Sequence, residues 1–98
     1  MREYMLTVIE GPAPEKNGAA ETYKSLPNDI SWIDGYLNAR FSHFYMVGVG
    51  SQNSIESTDD MERYFDDVDG GVILVFEHEW KDAPSALDVV AVIKASDP

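Results

Sequence analysis

The sequence has no cysteine among its 98 residues. That absence excludes a disulfide framework, a thiolate zinc site, an iron–sulfur cluster and a cysteine nucleophile together. Bases are scarce as well. Seven lysines and arginines stand against 18 aspartates and glutamates, a formal net charge of −11. Nucleic acids and anionic bilayers are bound through a basic footprint, so neither is expected as a direct partner. No apolar run approaches the roughly 18 residues of a membrane-spanning helix. Residues 1–10 flank a short apolar stretch with charge on both sides and offer no small-residue cleavage site. They read as a strand and not as a signal peptide, and the cytoplasm is the expected compartment.

What remains is enough to fold. The chain is 44% hydrophobic and 11% aromatic, too apolar for wholesale disorder despite its charge. The length fits one domain, residues 1–98, and surface scaling leaves roughly 65% of the unfolded chain's surface buried. A first strand is expected over residues 3–10 and ends at Gly11-Pro12-Ala13-Pro14, because prolines cannot continue a ladder. Asn17-Gly18 signals a tight turn, and residues 20–26 return as an edge strand.

Asn28 or Asp29 then caps a helix carrying Ile30, Ile33, Leu37 and Phe41 at helical spacing. Residues 41–49 read as a strand closing at Gly48-Val49-Gly50. A second helix follows, capped by Ser57, Thr58 or Asp59 and running to about Val68. Its residues Met61, Tyr64, Phe65 and Val68 fall at i, i+3, i+4 and i+7, one buried stripe. Gly70-Gly71 terminates it. Residues 72–80 and 86–95 form a C-terminal hairpin joined by Lys81-Asp82-Ala83-Pro84-Ser85. The expected class is α+β, a largely antiparallel sheet of four to five strands with one or two helices on one face, in the order β-β-α-β-α-β-β.

The acidity is concentrated. Residues 1–49 carry six acids and four bases, whereas residues 50–98 carry twelve acids and three bases. Stepping the second helix at about 100° per residue from Asp59 places Met61, Tyr64, Phe65 and Val68 between about 140° and 240°. Asp59, Glu62, Asp66 and Asp69 fall at about 280° to 360°, and Asp60 and Asp67 near 80° to 100°. The outer face is therefore carboxylate, interrupted by Arg63. Acids in the first turn suit the helix macrodipole; Asp66, Asp67 and Asp69 in or past the last turn oppose it and repel one another. Either the face is simply solvated and keeps a small protein soluble, or a cationic partner compensates them. The candidate binding residues are Glu56, Asp59, Asp60, Glu62, Asp66, Asp67 and Asp69, and lysines at 66, 67 and 69 should abolish binding.

Other constellations carry less chemistry. Placing Gly70 at the sixth position of a calcium loop puts Phe65 first and Phe76 twelfth, where oxygen ligands are required. The third glycine of G-x-G-x-x-G would be Asn53. Glu77-His78-Glu79 on a strand, with His43 on another, makes a two-histidine site conceivable but short of ligands. No G-x-S-x-G elbow is present. Trp32, Tyr36, Phe41, Phe44 and Tyr45 should mostly enter the core, with one or two surfacing beside the acids as interface anchors.

The expectation is a non-enzyme without metal or cofactor that binds a basic, nucleic-acid-binding surface of a larger protein and blocks it. Phage and mobile-element anti-defence proteins, of anti-CRISPR or antirestriction type, use this DNA mimicry. Alternatives are an immunity or antitoxin protein against a basic nuclease toxin, a small subunit or enzyme using the His43 and His78 region, or a subunit that oligomerises through an edge strand.

Overall fold

The computed structural model describes residues 2–9, 20–24, 30–77 and 89–96. Five strands and two helices follow in the expected order: β1 (Glu3–Ile9), β2 (Ala20–Lys24), α1 (Ser31–Arg40), β3 (Tyr45–Gly48), α2 (Thr58–Asp67), β4 (Val72–Phe76) and β5 (Val89–Ser96). The strands form one sheet in the order β2-β1-β5-β4-β3, and every pairing is antiparallel. The architecture is α+β.

Alternation decides which face of the sheet is buried. Tyr4, Leu6 and Val8 of β1 point into the core, while Met5, Thr7 and Ile9 between them stay half-buried. Register extends that choice across the sheet. Leu6 lies opposite Ile93, Ile93 opposite Ile73, and Ile73 opposite Gly48. The next row runs Val8, Ala91, Val75 and Met46. A slip of one residue would turn both rows outward, so burial pins the register. Ile33 and Leu37 of α1 and Met61, Tyr64 and Phe65 of α2 join these rows in a single hydrophobic cluster, so both helices cover the same face.

Several boundaries differ from the sequence pattern, each for a physical reason. The helix α1 begins at Ser31, with Ile30 in the cap position and no side-chain cap bond. β3 begins at Tyr45 and not at residue 41. Phe41 is still the C-cap of α1, its N–H bonded to the Leu37 carbonyl at 2.9 Å, and its ring packs on the core. The chain must turn through Ser42 and His43 before it can pair. β4 stops at Phe76, where the register jumps from Val75 opposite Ala91 to Phe76 opposite Val89. The extra residue on β5 is Val90, and the bulge buries Val75 and Phe76 in succession.

The aromatic residues also sort differently. Among the described residues, Tyr4, Tyr64, Phe65 and Phe76 are the buried ones, whereas Trp32, Tyr36, Phe41 and Phe44 are half-buried against the cluster. Tyr45 is 37% exposed. The Gly11-Pro12-Ala13-Pro14 stop, the Asn17-Gly18 turn, the Asn28 or Asp29 cap and the link at residues 81–85 lie outside the described residues. So do Glu10, residues 25–26, His78, Glu79, Trp80 and residues 86–88.

Candidate functional site

The acidic helix is built from its first turn. Ser57 adopts extended backbone and its hydroxyl accepts the Asp60 N–H at 3.1 Å, satisfying one of the orphan donors of the helix start. Asp60 reciprocates one residue earlier, its carboxylate accepting the Glu56 N–H at 2.9 Å. Ser57→Ala should therefore cost about 1 kcal/mol, read as a lower urea midpoint at unchanged slope. An unchanged midpoint would mean that the Asp60 bond alone organises the turn.

At the other end, Val68 closes the helix with its N–H on the Tyr64 carbonyl at 2.9 Å, and no base occupies the last turn. Asp69 lies beyond the helix, in the turn completed by Gly70 at φ +70°.

Tyr64 adds polar anchorage to the apolar packing of α2 on the sheet. The Tyr64 hydroxyl donates toward the Val49 carbonyl at 2.6 Å, with the Val72 carbonyl a second acceptor at 3.0 Å. It accepts the Val72 N–H at 3.0 Å. The ring fills the space above two glycines. A Cβ built on Gly48 would lie 2.5 Å from the Tyr64 ring, and one on Gly71 would lie 2.8 Å from it. Gly48 is therefore a packing glycine as well as a strand exit.

Among the seven candidate carboxylates, three are engaged within the chain, two of them by a cation. Asp66 takes the Arg2 guanidinium at 2.6 Å; this cation, delivered from the start of β1, offsets its poor position near the helix C-terminus. The Asp66 bond is the largest influence raising the Arg2 pKa. Asp60 serves the N-terminal cap and faces Arg63 at 3.4 Å. Glu56 is exposed and accepts from the Ser54 hydroxyl at 3.4 Å.

Asp59, Asp67 and Asp69 are exposed and Glu62 is half-buried. None of these four carboxylates has a hydrogen bond or ion pair with a described residue. The unpaired charge thus lies along Asp59, Glu62, Asp67 and Asp69, with Glu56 at the helix entrance.

A cleft of about 870 Å³ opens beside this surface. It lies between α1, the α1–β3 connection and the segment carrying Ser54, Ile55 and Glu56. The helix contributes Asp34 and Asn38, one turn apart, the connection His43 and Phe44, and the start of β3 Tyr45. A smaller depression of about 80 Å³ shares Ser54 and Ile55 with it and reaches Asp60, Arg63 and Asp67.

His43 is exposed in the bend after α1, not on a strand; His78 lies outside the described residues. Among the described residues, no group of three or more His, Asp or Glu side chains is placed to hold a metal ion.

Compared with protein-family models, curated proteins and solved structures, the chain has no match. Its site must be read from its own geometry. Sequence reasoning placed the acidic helix but missed Arg2, the Tyr64 anchor and the cleft. Arg2 and Asp66 are 64 residues apart, and no local period connects them. The pair Gly48 and Gly71 flanking a helix with a central tyrosine was the available signal for the anchor.

Proposed function

We propose that the protein is a non-enzymatic inhibitor that docks α2 onto a basic, nucleic-acid-binding surface of a larger protein and occludes it. The observation that carries this reading is the set Asp59, Glu62, Asp67 and Asp69, left without partners among the described residues. α2 is about 15 Å long at 1.5 Å per residue. One DNA strand places four to five phosphates over about that distance, so four unpaired carboxylates approximate the charge of one strand. They would pair with the arginines and lysines that otherwise hold phosphate. Electrostatic steering would accelerate the encounter and make it salt-sensitive.

No helix among the described residues is long and apolar enough to cross a membrane; we place the encounter in the cytoplasm. Anti-CRISPR and antirestriction proteins, carried by phage and mobile elements, are the functional class this physics fits best. The test is capture from nuclease-treated bacterial lysate at low and high salt, with duplex DNA as competitor. A nucleic-acid-binding protein released by DNA and by salt is the expected result. The absence of any DNA-competed partner in the host would overturn the reading and leave the acids as a solubility surface.

A further inference from the structure

The cleft beside α2 combines features that the acidic helix alone does not have. Two of its lining residues, Met46 of β3 and Ile55, are apolar and buried, and an isolated antiparallel bridge joins them. Its walls carry two carboxylates, Asp34 and Glu56, and among the described residues no lysine or arginine. Asp34 is half-buried. Its backbone carbonyl accepts the Asn38 side-chain amide at 2.8 Å, but its carboxylate takes no hydrogen bond or ion pair from a described residue. Phe44 and the exposed Tyr45 add aromatic surface to the same space.

A phosphate would be repelled here by both carboxylates. A metal ion would find too few ligands, since no three-carboxylate or histidine group is assembled among the described residues. A planar cation fits all the features together: it pairs with carboxylates and stacks on an aromatic ring, which a compact ammonium does less well. The volume, within the usual range for ligand sites, admits the side chain together with the backbone turn that carries it. Ser54 and Ile55 also border the second depression, which reaches Asp60 and the unpaired Asp67 of α2. One basic surface could therefore engage the helix and the cleft together.

We propose that the cleft receives an arginine side chain of the protein partner, its guanidinium taken by Asp34 and Glu56 against the Tyr45 ring. The assignment of the arginine to a protein partner rests on the docking reading above; the affinity of the cleft for a guanidinium does not.

The test is a ¹⁵N NMR titration of the whole protein with N-acetyl-arginine-amide, run beside the citrulline and lysine analogues and spermidine. Saturable shifts at residues 34–46 and 54–56 are expected, with the arginine probe binding about tenfold or more tightly than neutral citrulline. Asp34→Asn and Glu56→Gln, alone and together, should remove that preference while leaving shifts elsewhere in the spectrum unchanged. Equal response to citrulline, response to spermidine but not arginine, or shifts confined to residues 59–69 would each overturn the proposal.

Against a captured partner, the double variant should bind about tenfold or more weakly. Unchanged affinity would remove the cleft from the interface while leaving the α2 reading intact. A positive titration with no partner captured would retain the guanidinium site and overturn its assignment to a protein arginine.

Discussion

Gly48→Ala is expected to destabilise the protein by about 3 kcal/mol, the upper end of the usual cost of overpacking. The added methyl would sit 2.5 Å from the Tyr64 ring, and the ring has no direction in which to yield. Gly71 closes its other side, with a hypothetical Cβ at 2.8 Å. The hydroxyl is meanwhile fixed by Val49 and by both backbone groups of Val72. Relief therefore requires α2 to lift from the sheet, which would disturb the core contacts of Met61 and Phe65 as well. A loss of this size is a large part of the 5–15 kcal/mol typical of a domain, and would lower Tm by roughly 12–24 °C.

The cause is separable by a double-mutant cycle. In a Tyr64→Leu background, itself destabilised by the lost ring and hydroxyl, Gly48→Ala should cost markedly less. A coupling of about 1–3 kcal/mol is expected. Additive losses would show that alanine at position 48 fails for a backbone reason and that the ring is not the obstacle.

The second large effect concerns binding. Joint replacement of Asp59, Glu62, Asp67 and Asp69 by lysine should weaken the interaction with a captured partner about a thousandfold or more. Each attraction becomes a repulsion, and like charges juxtaposed in an interface cost several kcal/mol. Asp66→Lys is a poorer probe, because it also breaks the bond to Arg2. The neutral Asn and Gln variants of the same four positions should fall between wild type and the reversed protein. Circular dichroism and a thermal melt establish that α2 persists, and titration calorimetry at two salt concentrations measures the loss. Affinity retained by the reversed protein, with the fold intact, would exclude this face as the interface.

Much of the architecture was legible because it is governed by local periods. The spacing of Met61, Tyr64 and Phe65 fixes which side of α2 is buried, and the run Ser57, Thr58, Asp59 brackets its start, which the structure gives to Ser57. The alternation of Tyr4, Leu6 and Val8 does the same for β1. The β-β-α-β-α-β-β order followed from these patterns and from the turn residues between them. Boundaries were less legible where a side chain belongs to two patterns. Phe41 continues the stripe of Ile33 and Leu37, so α1 retains it as a cap and β3 starts later. At Val75 and Phe76, two consecutive apolar residues conceal a bulge that only pairing with β5 reveals.

The candidate site divides along the same line. The sequence by itself determined that seven carboxylates crowd residues 56–69 and that the helix there turns them away from its apolar stripe. Only the tertiary structure decided which of them remain unpaired. It places β1 beside β5 at the centre of the sheet and brings Arg2 to Asp66. It sets the ring of Tyr64 between Gly48 and Gly71 and opens the Asp34 and Glu56 cleft next to α2. The physical reason is range: a helical or strand period is written every two to four residues, whereas an ion pair or a packing contact between distant segments exists only after the chain has closed on itself.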